Sequence, residues 1–431
     1  MASLSLWQLV VLVIKCIVVE FQDFYAKRKC HYGAWLRRNK TFALLPLELV
    51  AEIVESLECD EIDQKESSLF RQRTLSSCAR TSKALAKYSH RQLLRQPYLN
   101  HRLNIFEDTL LSRRRNVDYI EKIVLDLRDD TIPSVESNSA ARIVSMLTSP
   151  TTRSIGLMEV RKVGIRELST VPLAVELERL HLHMMNYASQ FSRHSLYNIP
   201  IPYGPFYTLT SLSLSAIHLP YPTGDSSPIT ELYTPEMLPN LTSLEIDECC
   251  VRIVSKVNGF PFLRHLAIRC SCTRCIPELH LDRTLFEPLE LFELNPHPYF
   301  LEYFRYFPHR LPPFKRLRVS SEFMRFHSEK TAMMIMRILI DGLQDKPSSP
   351  LRHLVHIYLP KSWIEYEFDE VKMCCSELKE TGKQKGVTVS FDVKDEGTRM
   401  NRATRSACFN SDFWKLVEGL KSEEKMLEKN R

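Results

Sequence analysis

The chain has 431 residues, of which 44% are hydrophobic, and its formal net charge at pH 7 is +6. This hydrophobic content excludes a chain that is disordered throughout, and the length exceeds the ~100–200 residues of one typical domain. Glycine is scarce, with 11 residues where an average usage of roughly 7% gives about 30. Because nucleotide-binding α/β enzymes need glycine at their phosphate turns, the scarcity argues against that class.

Residues 4–19 at the start of the chain are nearly all apolar and predict a helix. The run is shorter than the ~20 residues that span a bilayer, and Lys15 inside it would cost about 2.5–3.5 kcal/mol at the bilayer centre. It also lacks the basic start and the cleavage site of a signal peptide. We therefore expect a buried or partner-bound helix. The alternative is a membrane-associated helix, with Lys27 to Lys29 holding the following domain on the cytosolic side.

An amphipathic helix is predicted from Pro46 to Leu57. Its apolar side chains recur at the spacing of one helix face, and they are Pro46, Leu49, Val50, Ile53, Val54 and Leu57. Proline has no backbone N–H, and at the first position of a helix that N–H would have no partner within the helix. Pro46 is therefore well suited to the first helical position and marks the helix start. The later run from Leu75 to Tyr88 alternates apolar and basic residues. We interpret it as completing a pair of short helices, the second capped near Thr81 or Ser82.

The segment from Leu44 to about Leu99 resembles the F-box, a trihelical module that docks on the Skp-family linker protein of cullin-type ubiquitin ligases. The Leu45-Pro46 pair is the most recognisable element of the resemblance. The resemblance implies that the Leu-Pro start and the apolar helix face contact the linker. It assigns this role to Leu45, Pro46, Leu49, Ile53 and Leu57, with Leu75, Cys78 and Leu85 shared between the module core and the partner.

Two features of this segment depart from the F-box pattern. Leu85 stands where the last helix of the family has an aromatic residue, and Cys59 to Gln72 is a longer, charged insert. The alternative to an F-box is one more amphipathic hairpin in a helical N-terminal region.

From residue 120 onward, one short pattern recurs nine times: an apolar residue, two others, an apolar residue, one other, an apolar residue. The occurrences are Ile120/Ile123/Leu125, Ile155/Met158/Val160, Leu177/Leu180/Leu182, Leu209/Leu212/Leu214, Leu241/Leu244/Ile246, Leu263/Leu266/Ile268, Leu289/Phe292/Leu294, Phe314/Leu317/Val319 and Leu354/Ile357/Leu359. Their spacing scatters around the roughly 20–29 residues of leucine-rich repeats, with insertions. The pattern predicts an α/β solenoid in which every unit adds one strand. The alternative is an ordinary α/β domain with leucine-rich parallel strands.

The C-terminal part is predicted to be a polar tail. An amphipathic turn from Phe409 to Leu420 is followed by a charged segment, for which we expect a frayed helix. Before it, a helix carrying Glu365, Glu367, Asp369 and Glu370 on a solvated face is predicted to precede a strand at residues 386–391.

Catalytic and metal-binding motifs are absent from the sequence. It contains no P-loop, no dinucleotide glycine motif, no nucleophile elbow and no His-Glu-x-x-His. Among the cysteines only Cys270, Cys272 and Cys275 are dense enough for a metal site, and they lack a second pair at zinc spacing. Five histidines alternate with leucine on strand segments and are expected on a solenoid face: His181, His183, His265, His353 and His356. We expect no enzyme, no cofactor and no metal.

Basic residues flank the F-box-like helix on both sides and suggest an acidic partner surface. Aromatic residues are not interleaved with these charges and no nucleic-acid-binding motif is found, so we expect no nucleic acid as a partner.

These observations predict four regions: an apolar helix and basic linker at 1–43, an F-box-like module at 44–100, a leucine-rich-repeat-like solenoid at 101–392 and a polar tail at 393–431. The resemblance implies a substrate-recognition adaptor of an SCF-type (cullin) ubiquitin ligase in the cytoplasm or nucleus. Its partners would be the Skp-family linker, the cullin ligase and a protein substrate. The alternative is a leucine-rich-repeat scaffold outside any ligase, with residues 4–19 as a membrane contact.

Overall fold

In the computed structural model of the chain, the described residues are 65–81, 83–127, 134–147, 150–158, 176–183, 206–215, 238–247, 260–269, 288–294, 313–319, 329–345, 350–393 and 412–429. The chain divides into two compact units, Met1–Glu58 with Arg71–Leu93 and Cys59–Phe70 with Leu94–Arg431. Within the described segments, no helix is long and apolar enough to cross a membrane.

The described residues form helices near both ends of the chain and a long series of strands between them. The helices are α1 (Lys65–Thr81), α2 (Lys83–Arg95), α3 (Leu103–Ser112), α4 (Ser134–Met146), α5 (Glu329–Gln344), α6 (Ser362–Glu365), α7 (Asp369–Gln384) and α8 (Asp412–Lys429). The strands are β1 (Tyr98–Leu99), β2 (Lys122–Asp126), β3 (Ser154–Met158), β4 (Arg179–His183), β5 (Ser211–Ser215), β6 (Ser243–Asp247), β7 (His265–Arg269), β8 (Leu291–Leu294), β9 (Arg316–Val319), β10 (His356–Pro360) and β11 (Thr388–Val393). Two 3₁₀ turns are Arg114–Tyr119 and Pro350–His353.

The first unit contains most of the residues of the helix pair α1 and α2. Leu75 and Leu85 are buried together, with Tyr88 and Leu93 packed against them. The Arg71 guanidinium donates a hydrogen bond of 3.1 Å to the carbonyl of Gln92. Since α1 ends at Thr81 and α2 begins at Lys83, the helix boundary predicted near residue 81 is confirmed. The charged insert is partly helical, because α1 already begins at Lys65.

The second unit is built on one sheet in which, among the described residues, eleven parallel strands follow one another in chain order. The α/β class predicted from the sequence is thereby confirmed. Each strand pairs only with its neighbours in sequence, an arrangement compatible with a solenoid-like repeat. The registers align the middle apolar residue of successive patterns, as in the row Leu180, Leu212, Leu244, Leu266 and Phe292.

One face of the sheet, which we call the core face, carries the recurring apolar residues. Alternate side chains of a strand point to opposite faces, so both strand positions of each pattern lie on this side. They form one buried cluster with the apolar residues of α3, α4, α5 and α7. Burying each Leu or Ile contributes about 1.5–3 kcal/mol relative to exposure, which makes this face the main source of stability.

Neighbouring strands are also joined by threonine side chains just before the strands. Thr152 donates to the carbonyl of Ile120 at 2.9 Å, Thr208 to that of Leu177 at 2.9 Å, and Thr242 to that of Thr210 at 3.0 Å. These bonds add to the backbone ladder between consecutive strands, each contributing about 0.5–1.5 kcal/mol.

The predicted repeat at Ile155, Met158 and Val160 is wrong in register. Ile155 pairs with Leu180 and Leu157 with Leu182, so the strand positions of this repeat are 155 and 157. Met158 is buried on the opposite face of the sheet. The first position is held by Thr152, which is buried and hydrogen-bonded to the preceding repeat. A buried hydroxyl group therefore replaces the apolar residue that the pattern requires.

Two elements near the end of the sheet agree with the sequence. The strand predicted at 386–391 is confirmed by β11, and the helix predicted before it by α7 and the short α6. The approach of α7 to β11 requires Gly382, because a Cβ there would lie 2.7 Å from Cγ2 of Val389. A helix is present in the C-terminal segment as predicted, and it is longer than expected, since residues 412–429, which include most of the predicted amphipathic turn, form the continuous helix α8.

Candidate functional site

The candidate site is the sheet face opposite the core face, on which α8 packs; we call it the α8 face. Its central row crosses β4 to β9, and the strand registers align its members, which are His181, Ser213, Glu245, Ala267, Glu293 and Arg318. All six are buried. Buried polar and charged side chains are unfavourable unless they are hydrogen-bonded or paired, so this row needs an internal network.

The first part of the network joins a histidine, a serine and a glutamate. Nδ1 of His181 lies 2.8 Å from Oγ of Ser213, and that hydroxyl donates to Oε2 of Glu245 at 2.6 Å. A serine hydroxyl has one proton to donate, so Nδ1 of His181 carries a proton and donates it to Ser213. In a nucleophilic triad the histidine would accept the serine proton, and here the direction is opposite. The arrangement is suited to holding Glu245 in place.

The second part is a ladder of alternating charges. Arg269 donates to Oε1 of Glu245 at 2.8 Å and to Oε1 of Glu293 at 2.5 Å. Arg318 donates to Oε2 of Glu293 at 2.5 Å. Two carboxylates and two guanidiniums thus cancel in formal charge, and Glu293 has 0% of its surface exposed. Pairing of this kind offsets the desolvation that burial imposes on each ion.

The first turns of α8 cover the network and add a hydrogen bond to it. The indole nitrogen of Trp414 donates a hydrogen bond to Oε2 of Glu245. Phe413 packs edge-on against Trp414 with the ring centroids 5.1 Å apart. Both aromatic rings and Val417 belong to a buried apolar cluster with sheet residues of this face, namely Tyr98, Val124, Met158, Ala267 and Leu291. The helix therefore combines an apolar anchor with one directed hydrogen bond into the charge ladder.

Arginines on and beside the sheet strands pair with glutamates on α8. Arg179 pairs with Glu418, Arg264 with Glu424 at 2.8 Å, and Arg316 with Glu423 at 4.0 Å. Since these groups are partly exposed, each pair contributes roughly 0–1 kcal/mol. These ion pairs orient α8, because they set the direction in which the helix crosses the strands.

His265 lies buried beneath α8 and is kept neutral. Burial lowers its pKa to about 3, and the positive charges of Lys421, Arg264 and Arg316 act in the same direction. Its Nδ1 lies 3.0 Å from Oγ of Ser243. The histidine therefore adds no charge beneath α8.

Only three of the eight predicted linker-binding residues lie in the part of the chain that the structure describes. Leu45, Pro46, Leu49, Ile53 and Leu57 lie outside the described residues. Leu75 and Leu85 are buried in the first unit, and Cys78 is half-buried, with burial raising its thiol pKa. The cysteines of the candidate metal cluster, Cys270, Cys272 and Cys275, also lie outside the described residues.

The histidines predicted on a solenoid face occupy different environments. His181 and His265 are buried on the α8 face, and His183 is half-buried at the end of β4. His356 stacks on Tyr358 with the ring centroids 3.9 Å apart, and burial lowers its pKa. His353 lies in a 3₁₀ turn and is exposed. Within the described segments, no group of three or more His, Cys, Asp or Glu side chains is arranged to hold a metal ion.

The residues of the charge ladder and of α8 were not predicted as a site. The available signal was a charged residue between two apolar strand residues in several repeats, as at Glu245, Glu293 and Arg318. The cluster Phe413, Trp414 and Val417 gives a second signal, because an aromatic pair in a charged tail needs a surface to cover it.

Comparison of the chain with protein-family models finds none that matches, and comparison with curated proteins likewise finds no match.

Proposed function

We propose that this protein is a substrate-recognition adaptor of a cullin-type ubiquitin ligase. Its F-box-like segment at 44–100 would bind the Skp-family linker, and a leucine-rich-repeat solenoid at 101–392 would bind the protein to be ubiquitinated. The observation that carries the proposal is the stack of parallel strands in chain order, which begins with β1 at the end of the F-box-like segment. The protein itself would catalyse no reaction.

The order of the strands supports a repeat solenoid over a doubly wound α/β domain. In a doubly wound sheet the chain reverses direction at a switch point, and helices cover both faces. Here β1 to β11 follow the chain without reversal, and α3, α4, α5 and α7 contribute to the cluster on the core face. Leucine-rich repeats have this arrangement, in which returning segments cover one side and strands line the other.

The helix pair α1 and α2 supports the F-box-like module. The resemblance requires helices after the Leu-Pro start, with Leu75 and Leu85 in their common core. Both leucines are buried, and Leu75 has 0% of its surface exposed. The residues expected to contact the linker directly are Leu45, Pro46 and the apolar face of the helix that follows them.

An adaptor of this kind acts by proximity. Holding a substrate on the repeats and the linker on the N-terminal module makes the approach of a substrate lysine to the ubiquitin-carrying enzyme effectively intramolecular. No side chain of the adaptor has to take part in the chemistry.

The proposal is tested by co-elution of the purified full chain with a Skp-family linker protein in size-exclusion chromatography. We expect a complex with the unmodified chain. The double variant Leu45→Ala/Pro46→Ala should weaken it by about tenfold or more, because interface anchors contribute about 1–2 kcal/mol each.

The matched control is Glu48→Ala/Glu52→Ala, which by the sequence pattern changes the opposite face of the same helix and should leave the complex intact. Failure of the unmodified chain to bind the linker would contradict the ligase assignment. It would favour the alternative of a leucine-rich-repeat scaffold, with residues 4–19 tested separately for vesicle binding.

A further inference from the structure

The α8 face holds a segment of the chain itself. In a leucine-rich-repeat solenoid the strands line the binding wall, because the returning segments cover the other side. The face that a partner would use is therefore the one on which Phe413, Trp414 and Val417 are buried.

We propose that α8 is an exchangeable internal ligand, and that the α8 face binds a partner helix of the same chemistry, an aromatic anchor followed by carboxylates. The identity of this partner as a ubiquitination substrate rests on the proposed function. The exchange of α8 does not, because it depends only on contacts within the second unit.

The anchor position is defined by Trp414. Its indole nitrogen donates to Glu245, which also accepts hydrogen bonds from the hydroxyl of Ser213 and the guanidinium of Arg269. The carboxylate is thus held in a fixed orientation before any helix is added. A partner must bring a hydrogen-bond donor on an apolar ring, and tryptophan supplies both.

The positions of the carboxylates follow from the arginines along the sheet. Glu418 pairs with Arg179 four residues after the tryptophan, and Glu424 pairs with Arg264 six residues further on. A helix that crosses the strands in this direction must carry acidic groups at these two spacings. A basic helix would place like charges against the arginines and is excluded as an occupant.

Exchange is favoured by two features of α8. Its second half is held by partly exposed ion pairs, which contribute little, and residues 422–427 are exposed. Lys421 is a half-buried ammonium group on this face: burial lowers its pKa, Glu418 opposes this effect, and Arg179 adds to it. A partner with a neutral residue at this position would fit the face better than α8 does, and could therefore compete with a tethered segment.

The probe is a synthetic fluorescein-labelled peptide of residues 409–431 that carries Lys421→Met. Its binding is followed by fluorescence anisotropy on the full chain and on three full-chain variants, Trp414→Ala, Glu418→Lys and Lys421→Met. Each substitution alters only α8, so the receptor face stays as it is. The same peptide with Trp414→Ala in addition is the control probe.

We expect the probe to bind the Trp414→Ala chain about tenfold or more tightly than the unmodified chain, because an emptied face is fully available to it. The Glu418→Lys chain should bind the probe about two- to threefold more tightly, since one ion pair becomes a repulsion. The Lys421→Met chain should bind it more weakly than the unmodified chain. The Glu418 side chain is 46% exposed, so we expect the Glu418→Lys chain to fold. It tests the exchange of α8 if the Trp414→Ala chain does not fold.

Equal affinity for all four chains, or binding to none of them, would show that α8 is a fixed part of the sheet and would overturn the proposal. Equal binding of the control probe would overturn it as well. Linker co-elution is measured independently, so its loss would remove the ligase assignment and leave the exchange of α8 intact.

Discussion

The core face and the α8 face belong to the same strands but are buried by different chemistry. On the core face the pattern residues from β2 to β10 are apolar except Thr152, and the apolar ones pack against apolar residues of several helices. On the α8 face, Glu245, Arg269, Glu293 and Arg318 form a charge ladder beneath a single helix. Apolar packing is non-directional and tolerates exchange of similar residues, whereas each ion of the ladder depends on specific partners in a fixed geometry. One face is therefore held by apolar burial, and the other by the pairing of specific charged groups.

The largest effect is expected from breaking the charge ladder at its most buried member. Glu293→Met removes the carboxylate that Arg269 and Arg318 share. We expect the free energy of unfolding to fall by about 3–5 kcal/mol, because buried Arg318 loses its ladder carboxylate and buried Arg269 is left with Glu245 as its ladder carboxylate. Urea denaturation followed by circular dichroism measures this loss.

Two controls separate pairing from packing at this site. Glu424→Met removes an exposed glutamate of α8 and should change stability by about 0–1 kcal/mol. Adding Arg318→Met to Glu293→Met removes the cation as well and should restore part of the loss. If the single variant costs under about 1 kcal/mol, the ladder does not hold this face together.

A somewhat smaller loss is expected on the core face. Leu212→Ala removes a buried side chain in the middle of the aligned leucine row and should lower the free energy of unfolding by about 2–5 kcal/mol through lost burial and a cavity. The matched change Leu427→Ala, on the exposed end of α8, should stay within about 0.5 kcal/mol. Equal effects of the two substitutions in the same urea titrations would contradict the assignment of the core face.

The sequence predicts the core face far better than the α8 face. Nine apolar patterns predicted the strands, and the only register error arose at Thr152, where a buried hydroxyl replaces an apolar residue. Apolar periodicity reports which side chains are buried against the core, and so it identifies that face directly.

The α8 face could not be predicted in the same way. Its charged residues have the same pattern as exposed ones, because Glu245 and Glu293 alternate with apolar neighbours as solvated residues do. Their burial depends on α8, which follows β11 in the chain but reaches Glu245 of β6 through Trp414. Contacts between residues 169 positions apart leave no periodic signal in one sequence.

The smallest effect is a pH dependence that distinguishes the two faces, since His265 lies on the α8 face. Burial holds its pKa at about 3, below the 6.5 of an unburied histidine. Between these values the unfolded chain binds more protons, so the free energy of unfolding falls as the pH falls. Between about pH 7 and about pH 5, this histidine should account for a loss of about 2 kcal/mol. In urea titrations at both values, His265→Gln should lose less stability than the unmodified chain by this amount.

His90→Gln, at an exposed position, should leave the loss unchanged. A His265→Gln chain that loses as much stability as the unmodified one would show that the histidine is not held neutral beneath α8.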